Sequence, residues 1–430
     1  MKFADKQNEK IKAISEDTLV IGCDIAKNDH VARAFDFRGI ELGKTLPFQN
    51  SSNGFESLLK WTRNLQQQHR KNKVVLGVEP TGHYWLALGE YVQTQTTIQL
   101  VMVNPHHTKK SKELDDNSPT KNDAKDAKVI AKLVIDGRYG ISTIPTGDYA
   151  ELRVAMSQYQ YLQTTLATIK GRIHTWLDRY FPEFSDVFKS FEGKAAFVTL
   201  QHFPLPQDIL TVSDQKIVDT WRTQVARVDK KKGLALQAAA KQSVGSKRGL
   251  QSAREEIKNL LMHYQLIKEQ MAHLISRLES ILISLPGGQS MVSIPGVGVL
   301  TVAGFLGATG PLTGYTHWRQ IIRLAGLNLK ENTSGQHSGK TKIAKRGRAD
   351  LRALLFRCAL ILVATNKEFK ALHRYLTTRK ENPLKKMQSI IAICGKLIRL
   401  LFALGRNPQR RYEADKALGQ ERLRQIQNAA

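Results

Sequence analysis

Four carboxylates in the first third of the chain stand where backbone geometry can gather them. Asp24 closes the apolar run Thr18–Asp24 (TLVIGCD), which reads as a buried strand. Glu79 follows a second such run, Lys73–Val78 (KVVLGV), expected to lie beside the first. Asp123 and Asp126 are three residues apart in a stretch of helical period, so they share one face. A hard divalent cation takes such an all-oxygen set. Two cations about 3.5–4 Å apart can clamp both sides of a phosphodiester. A single carboxylate is ordinarily a solvated surface group. An apolar strand that delivers Asp24 and a helix that pairs Asp123 with Asp126 set these four apart. Asp29, Asp115, Asp116 and Asp136 read as surface, and His83, after Thr81 and Gly82, reads as a packing residue.

A second constellation lies far along the chain. Residues 331–348 run ENTSGQHSGKTKIAKRGR, a Ser/Gly-rich loop that enters a basic stretch and then a helix from Asp350 to about Ala364. Between Ser338 and Arg357 there are seven basic residues and one acid. Lys340, Lys342, Lys345, Arg346 and Arg348 suit contacts to a phosphate backbone. Ser334 and Ser338 each precede a glycine, and a serine beside cations can act as a nucleophile on phosphorus. By spacing alone a Ser-Gly pair is more often a plain loop. Upstream, Ile294 to Ala303 (IPGVGVLTVA) is an apolar-Pro-Gly-apolar-Gly turn that opens a helix. Gly296 and Gly298 would let backbone N–H groups approach a phosphate at its N-terminus. That is the pattern of a helix-hairpin-helix turn, and a plain helix–turn–helix connection reads equally well.

The elements that must position these groups are legible in outline. Strands are expected at Thr18–Asp24, His30–Asp36, Lys44–Phe48, Lys73–Val78 and Ile98–Val103. A helix capped by Ser51 buries Phe55, Leu58, Leu59 and Trp61, another ends near Val92, and a polar loop to Thr120 leads into a helix from Asn122 to Ile135. The order βββαβα, with acids at these places, is the ribonuclease-H-like (RuvC-like) arrangement of a mixed sheet with helices on its faces. Two heptad series follow. Leu152, Ala155, Tyr159, Leu162, Leu166, Ile169, Ile173 and Trp176 step by three and four, as do Ile257, Leu260, Tyr264, Ile267, Met271, Leu274, Leu278 and Ile281. They predict a coiled-coil hairpin whose arms flank an insertion at about 181–250. The expected parts are 1–145 (the mixed-sheet domain), 146–285 (the hairpin) and 286–430, a helical domain with a basic, loosely held tail.

Composition narrows the classes. The 430 residues carry 65 Lys and Arg against 38 Asp and Glu. The excess is uneven: residues 1–150 net +3 and the remaining 280 net +24. That asymmetry points to a polyanionic partner, above all nucleic acid. Three dispersed cysteines, Cys23, Cys358 and Cys394, make neither a disulfide framework nor a zinc cluster. No uncharged apolar run of eighteen residues and no apolar leader are present, so the expectation is a cytoplasmic protein with no membrane partner.

Together the segments VIGCDIAK, GVEPTGHYW, NPHHTKK, TKNDAKDAKVIAKL, SIPGVGVLTVAGFLGATG and LAGLNLKENTSGQHSGKTKIAKRGRADLRALL resemble one family. It is the DEDD transposases of the insertion-sequence family one-hundred-and-ten, the bridge-RNA-guided serine recombinases. The resemblance implies that Asp24, Glu79, Asp123 and Asp126 bind Mg²⁺ in a RuvC-like domain. It also implies that Ser334 forms a covalent link to DNA, with Ser338 as the competing position because many members read Ser-Ser-Gly-Gly-Lys. The implied partners are donor and target DNA, a non-coding bridge RNA and further copies of the chain, with a composite site possible. Two other functions compete: a metal-dependent, structure-specific nuclease without a covalent intermediate, and a nucleic-acid scaffold that has lost the chemistry.

Overall fold

A computed structural model describes residues 3–425 except 81, 95–97, 117–122, 142–143, 331–332, 335–336, 340 and 420–423, with backbone alone for 3–6, 113–116, 333–334 and 337–338. It divides the chain into two compact units, Met1–Pro145 and Thr146–Ala430.

The first unit begins with α1 (Phe3–Ala13), β1 (Thr18–Asp24), β2 (Asp29–Phe35), β3 (Leu46–Gln49), α2 (Ser52–His69) and β4 (Lys73–Val78). It continues with α3 (Trp85–Thr94), β5 (Ile98–Val103), α4 (Pro105–Asp116), α5 (Asp123–Ile135) and β6 (Tyr139–Ile141). The strands form one mixed sheet in the order β3-β2-β1-β4-β5-β6. β1, β4 and β5 run parallel at its centre, while β2, β3 and β6 are antiparallel to their neighbours. Both faces of β1 are buried because alternate residues feed two cores. Leu19, Ile21 and Cys23 pack with Phe55 and Leu58 of α2, whereas Val20 packs with Val129, Ile130 and Val134 of α5. Ser51 caps α2, its side chain accepting from the Gly54 amide at 3.3 Å. Trp61 packs only partly against that core.

One expectation fails here. The polar stretch after Pro105 is a helix, α4, not a loop. Asn104 and Pro105 both stop β5 and start α4: the Asn104 side chain accepts from the His106 amide at 2.9 Å, and proline suits the first helical position.

The second unit is helical around one core. α6 (Gly147–Tyr180) and α12 (Leu250–Ser284) are its long members. Glu151 meets Arg277 at 2.5 Å, and the Trp176 indole N–H donates to the Ala253 carbonyl at 2.9 Å, so the two run antiparallel. Most of both heptad series is buried; Tyr159, Met271 and Ile281 are partly so. Between them lie α7 (Phe184–Val187), α8 (Lys194–His202), α9 (Pro206–Leu210), α10 (Asp214–Arg222) and α11 (Lys230–Gln242), gathered round Phe184, Phe188 and Trp221. Next come α13 (Gly288–Val292), α14 (Val299–Thr309), α15 (Arg319–Leu324), short strands β7 (Leu329–Lys330), β8 (Thr333–Ser334), β9 (His337–Ser338) and β10 (Lys342–Ile343), α16 (Ala349–Thr365), α17 (Lys367–Thr378), α18 (Lys386–Gly405) and α19 (Ala414–Ala417). By length and composition α18 could cross a membrane. Here Ile390, Ile393, Leu397 and Leu401 are buried in the helical core.

The tail expected to be loosely held is tied down. Pro408 accepts from the Ser290 hydroxyl at 2.8 Å, the Tyr412 amide donates to Ser293 Oγ at 2.9 Å, and Ala417 and Leu418 are buried.

Candidate active site

Register brings Asp24 and Glu79 side by side. β1 pairs in parallel with β4, Cys23 opposite Val78, so the next residue of each strand emerges at the same sheet end. Alternation then decides the face. Asp24 shares the side of Val20 and Gly22, which is the side covered by α5, and Glu79 directly follows β4, whose Val75 and Gly77 lie on that same side.

Two glycines let α5 come close enough to complete the set. A Cβ on Gly22 would lie 2.0 Å from the Ala127 carbonyl oxygen and 2.6 Å from the Ala131 amide. A Cβ on Gly77 would lie 2.6 Å from Val134 Cγ2. The backbone of α5 thus rests on β1, and its first turn, bearing Asp123 and Asp126, overhangs the strand ends. Arg33 of β2 braces that turn. Its Nη1 donates to the Ala124 carbonyl at 3.0 Å while Nε and Nη2 grip Glu41 at 2.7 and 2.6 Å. His30, fully buried, accepts from the Ala26 amide at 3.3 Å and so pins the turn that follows Asp24. Burial lowers its pKa, which keeps the ring neutral at physiological pH.

The acids feel one another. Burial, then Asp126 and Asp123, raise the Asp24 carboxyl to about 6; Lys112 pulls it down and Glu79 adds a smaller upward push. Asp126 is 5% exposed and is salt-bridged to Lys112 of α4 at 2.5 Å. An all-oxygen donor set, an excess of negative charge and an ammonium drawn into it fit a cation site. As the side chains stand, no three acidic, histidine or cysteine groups among the described residues are close enough together to hold an ion. For these residues to hold a cation, the carboxylates would have to close in and Lys112 give way at Asp126. Asp29 and Asp136 are exposed, as is His83, whose ring lies tilted against that of Tyr84 with centroids 4.3 Å apart. The side chains of Asp115 and Asp116, and the whole of Thr81, lie outside the described residues.

In the second unit the Ser/Gly-rich stretch is a slender β-hairpin. β7 pairs with β10, and β8 with β9, placing Ser334 opposite His337 and Thr333 opposite Ser338. Ser334 and Ser338 therefore lie on neighbouring pairs of β8 and β9. Interlocking glycines fasten the hairpin base: Gly326 (φ 66°) has no room for a Cβ beside the Arg346 carbonyl, and Gly347 (φ 148°) none beside that of Leu324. Arg352 donates to the carbonyls of Ala325 and Lys345 at 3.0 and 3.3 Å. Lys342, Lys345 and Arg346 are exposed, while Arg348 turns inward and donates to the Ala308 carbonyl. Lys340 lies outside the described residues. Gly296 adopts φ 93°, and a Cβ there would come 2.9 Å from Thr365 Oγ1, so α16 dictates that glycine; Gly298 caps α14 with open space beside it.

A mixed sheet of this order, with carboxylates at the ends of adjacent central strands and on the covering helix, is consistent with the ribonuclease-H-like class of DEDD transposase domains. Comparison with known sequences agrees. A profile described as "Transposase", for the DEDD type of IS110, matches residues 21–182. A second, described as "Transposase IS116/IS110/IS902 family", matches residues 289–374. The chain is 25% identical over 299 residues to the uncharacterized 42 kDa protein of insertion element IS900 from Mycobacterium paratuberculosis, covering 67% of this chain and 72% of that protein. It is 22% identical over 290 residues to the uncharacterized 43.6 kDa protein of insertion element IS110 from Streptomyces coelicolor, covering 67% and 71%. The chain belongs to the IS110 family of transposases, enzymes that act on DNA. The two matched stretches contain the four acids and Ser334 respectively.

Proposed function

We propose that the protein cuts DNA and rejoins it through a covalent serine–DNA intermediate, at a Mg²⁺-dependent carboxylate site, guided by a bridge RNA. The observation that carries this reading is the gathering of Asp24, Glu79, Asp123 and Asp126 round one strand end, close enough for three of them to shift the fourth. Those carboxylates would hold the cations, and Lys112 would hold the charge balance before loading. When bound, the ions supply charge neutralisation on the phosphodiester and a polarised oxygen. Ser334 attacks phosphorus. Its Oγ–P bond forms, one P–O bond to a sugar breaks, the serine hydroxyl proton passes to solvent, and the departing sugar oxygen takes a proton from solvent to become a free hydroxyl. The ester energy stays in the protein–DNA link, so that hydroxyl or another can reverse the step on a new partner without ATP. The match of Ser334-Gly335 to the Ser-Gly of the resembling family supports Ser334 over Ser338, which lies on the neighbouring β8–β9 pair. The basic flank would neutralise charge on the phosphorane oxygens, and base pairing by the RNA would supply sequence choice. The antiparallel α6–α12 pair is the coiled-coil element of the proposal, and the turn before α14 its helix-hairpin-helix element.

The test is a denaturant-resistant protein–DNA adduct formed with donor DNA and the neighbouring non-coding RNA. Wild type and Ser338→Ala should form it. Ser334→Ala should not, while still binding both nucleic acids. An adduct lost only in Ser338→Ala moves the nucleophile. DNA that is cut with no adduct in any protein selects the second reading, a metal-dependent nuclease, which the acidic cluster alone would support.

A further inference from the structure

A cleft of about 370 Å³ opens in the second unit between α6, α14 and the start of α16, at the small end of ligand pockets. Arg153, Ser157 and Gln160 line it from α6, and Arg348 and Asp350 from the N-terminus of α16. The cleft is built rather than incidental. A Cβ on Gly307 would lie 3.1 Å from the Arg153 amide, so α14 crosses α6 at backbone contact beneath it. Arg348 is fixed by donating Nη1 to the Ala308 carbonyl, and among the described residues its other guanidinium donors make no hydrogen bond.

Its charge is unbalanced. Among the described residues neither Arg153 nor Arg348 has a carboxylate within ion-pair distance, although Asp350 stands on the exposed rim. Burial lowers the pKa of both guanidiniums, and the charge of Arg153 lowers Arg348 further. Tyr315, whose burial raises its pKa, donates its hydroxyl to the Thr309 carbonyl and supplies no negative charge. Two half-buried like charges facing one cavity favour an anion between them. The rim carboxylate weighs against a dianion such as free phosphate. A singly charged diester with neutral flanking sugars meets less repulsion, and Ser157 and Gln160 offer hydrogen bonds to those sugars.

We propose that this cleft seats one backbone phosphodiester of a nucleic-acid strand, gripped by Arg153 and Arg348. The proposal rests on the reading that the protein handles nucleic acid, but not on its chemistry. Full-length protein would be titrated with labelled DNA and RNA oligonucleotides across a salt series. Arg153→Gln should weaken binding on the order of fivefold, as for one charge-assisted contact, and reduce the slope of log affinity against log salt by about one. Arginine modification by phenylglyoxal, mapped by mass spectrometry, should reach Arg153 in the free protein and be blocked by oligonucleotide. Unchanged affinity and slope, with no protection, would overturn the proposal. So would protection by inorganic phosphate but not by oligonucleotide, which would make the cleft a small-anion seat. Loss in the RNA titration alone, or in the DNA titration alone, supports the proposal and identifies the strand. Should Arg153→Gln fail to fold by circular dichroism, protection of the wild type decides. Ser334→Ala protein should show the same protection. A missing adduct with protection intact therefore counts against the serine chemistry only.

Discussion

Asp24 is held at an energetic disadvantage that a cation would relieve. Its carboxyl is raised to about 6 from an ordinary 3.8, by burial first and then by Asp126 and Asp123. Folded protein thus keeps a proton that the unfolded chain releases between those values, so stability is lost as pH rises through the folded value. A two-unit shift is worth about 3 kcal/mol undiminished, and solvent screening at a half-buried strand end leaves on the order of 1–2 kcal/mol. Asp24→Asn should therefore raise the melting temperature of metal-free protein at pH 7. The gain should shrink toward zero near pH 4, while DNA cleavage is abolished. Melting curves from pH 4 to 8 in chelator check the first part, and equal gains at both ends would remove Asp24 from the cluster. Glu79→Gln, Asp123→Asn and Asp126→Asn should each abolish cleavage in Mg²⁺ and leave the circular dichroism spectrum unchanged. Full recombination by Asp126→Asn would limit the metal set to three carboxylates.

The position of α5 on β1 decides whether the acids meet. Gly22 has no space for even a methyl group against the α5 backbone, and the obstacle is a carbonyl, not a pliable side chain. Gly22→Ala should cost about 3 kcal/mol by overpacking and lift Asp123 and Asp126 from the strand ends. Thermal melts would show the first effect, and cleavage by soluble protein the second. The long helices carry a parallel lesson. Leu166 and Leu274, one from each heptad series, are buried within the chain. Leu166→Asp should therefore lower the melting temperature rather than merely dissociate copies. The apolar groups left on the outer faces are Val154 and Tyr161 of α6 and Met262, Leu266 and Ile283 of α12. If copies associate through this pair, Tyr161→Glu with Leu266→Glu should lower the mass seen by sedimentation without lowering the melting temperature. Unchanged mass would place the contact elsewhere.

At the scale of the whole molecule the dominant quantity is charge. A net +24 over residues 151–430 makes a steep salt dependence the expected form of DNA and RNA binding, because each neutralised phosphate releases counterions. Neutralising Lys342, Lys345 and Arg346 together should flatten the slope of log affinity against log salt by about two to three. An unchanged slope would show that the hairpin base does not touch phosphate. Arg348 belongs to a different group. It is half buried and faces the cleft with Arg153, so its loss should disturb local structure as well as binding.

Short-range order was written in the chain itself. The strand bounds at Thr18–Asp24, Lys73–Val78 and Ile98–Val103 and the start of α2 at Ser51 follow from alternation, apolar runs and capping, which depend on neighbours in sequence. The candidate acids were legible for the same reason, since a strand end and an i,i+3 pair are local patterns. Asn104-Pro105 was also legible, but it read as a stop when it was a stop and a start together. Other features required the tertiary structure. Arg33 braces a turn 91 residues away, and the space denied to a side chain at Gly22 exists only once α5 lies on β1. The tail after Arg406 looks detached as a string of polar residues, yet Ser290, Ser293 and a buried Leu418 hold it. The Arg153–Arg348 cleft joins residues nearly two hundred positions apart. Its unbalanced charge arises from which helices cross and how closely, and no local spacing encodes that.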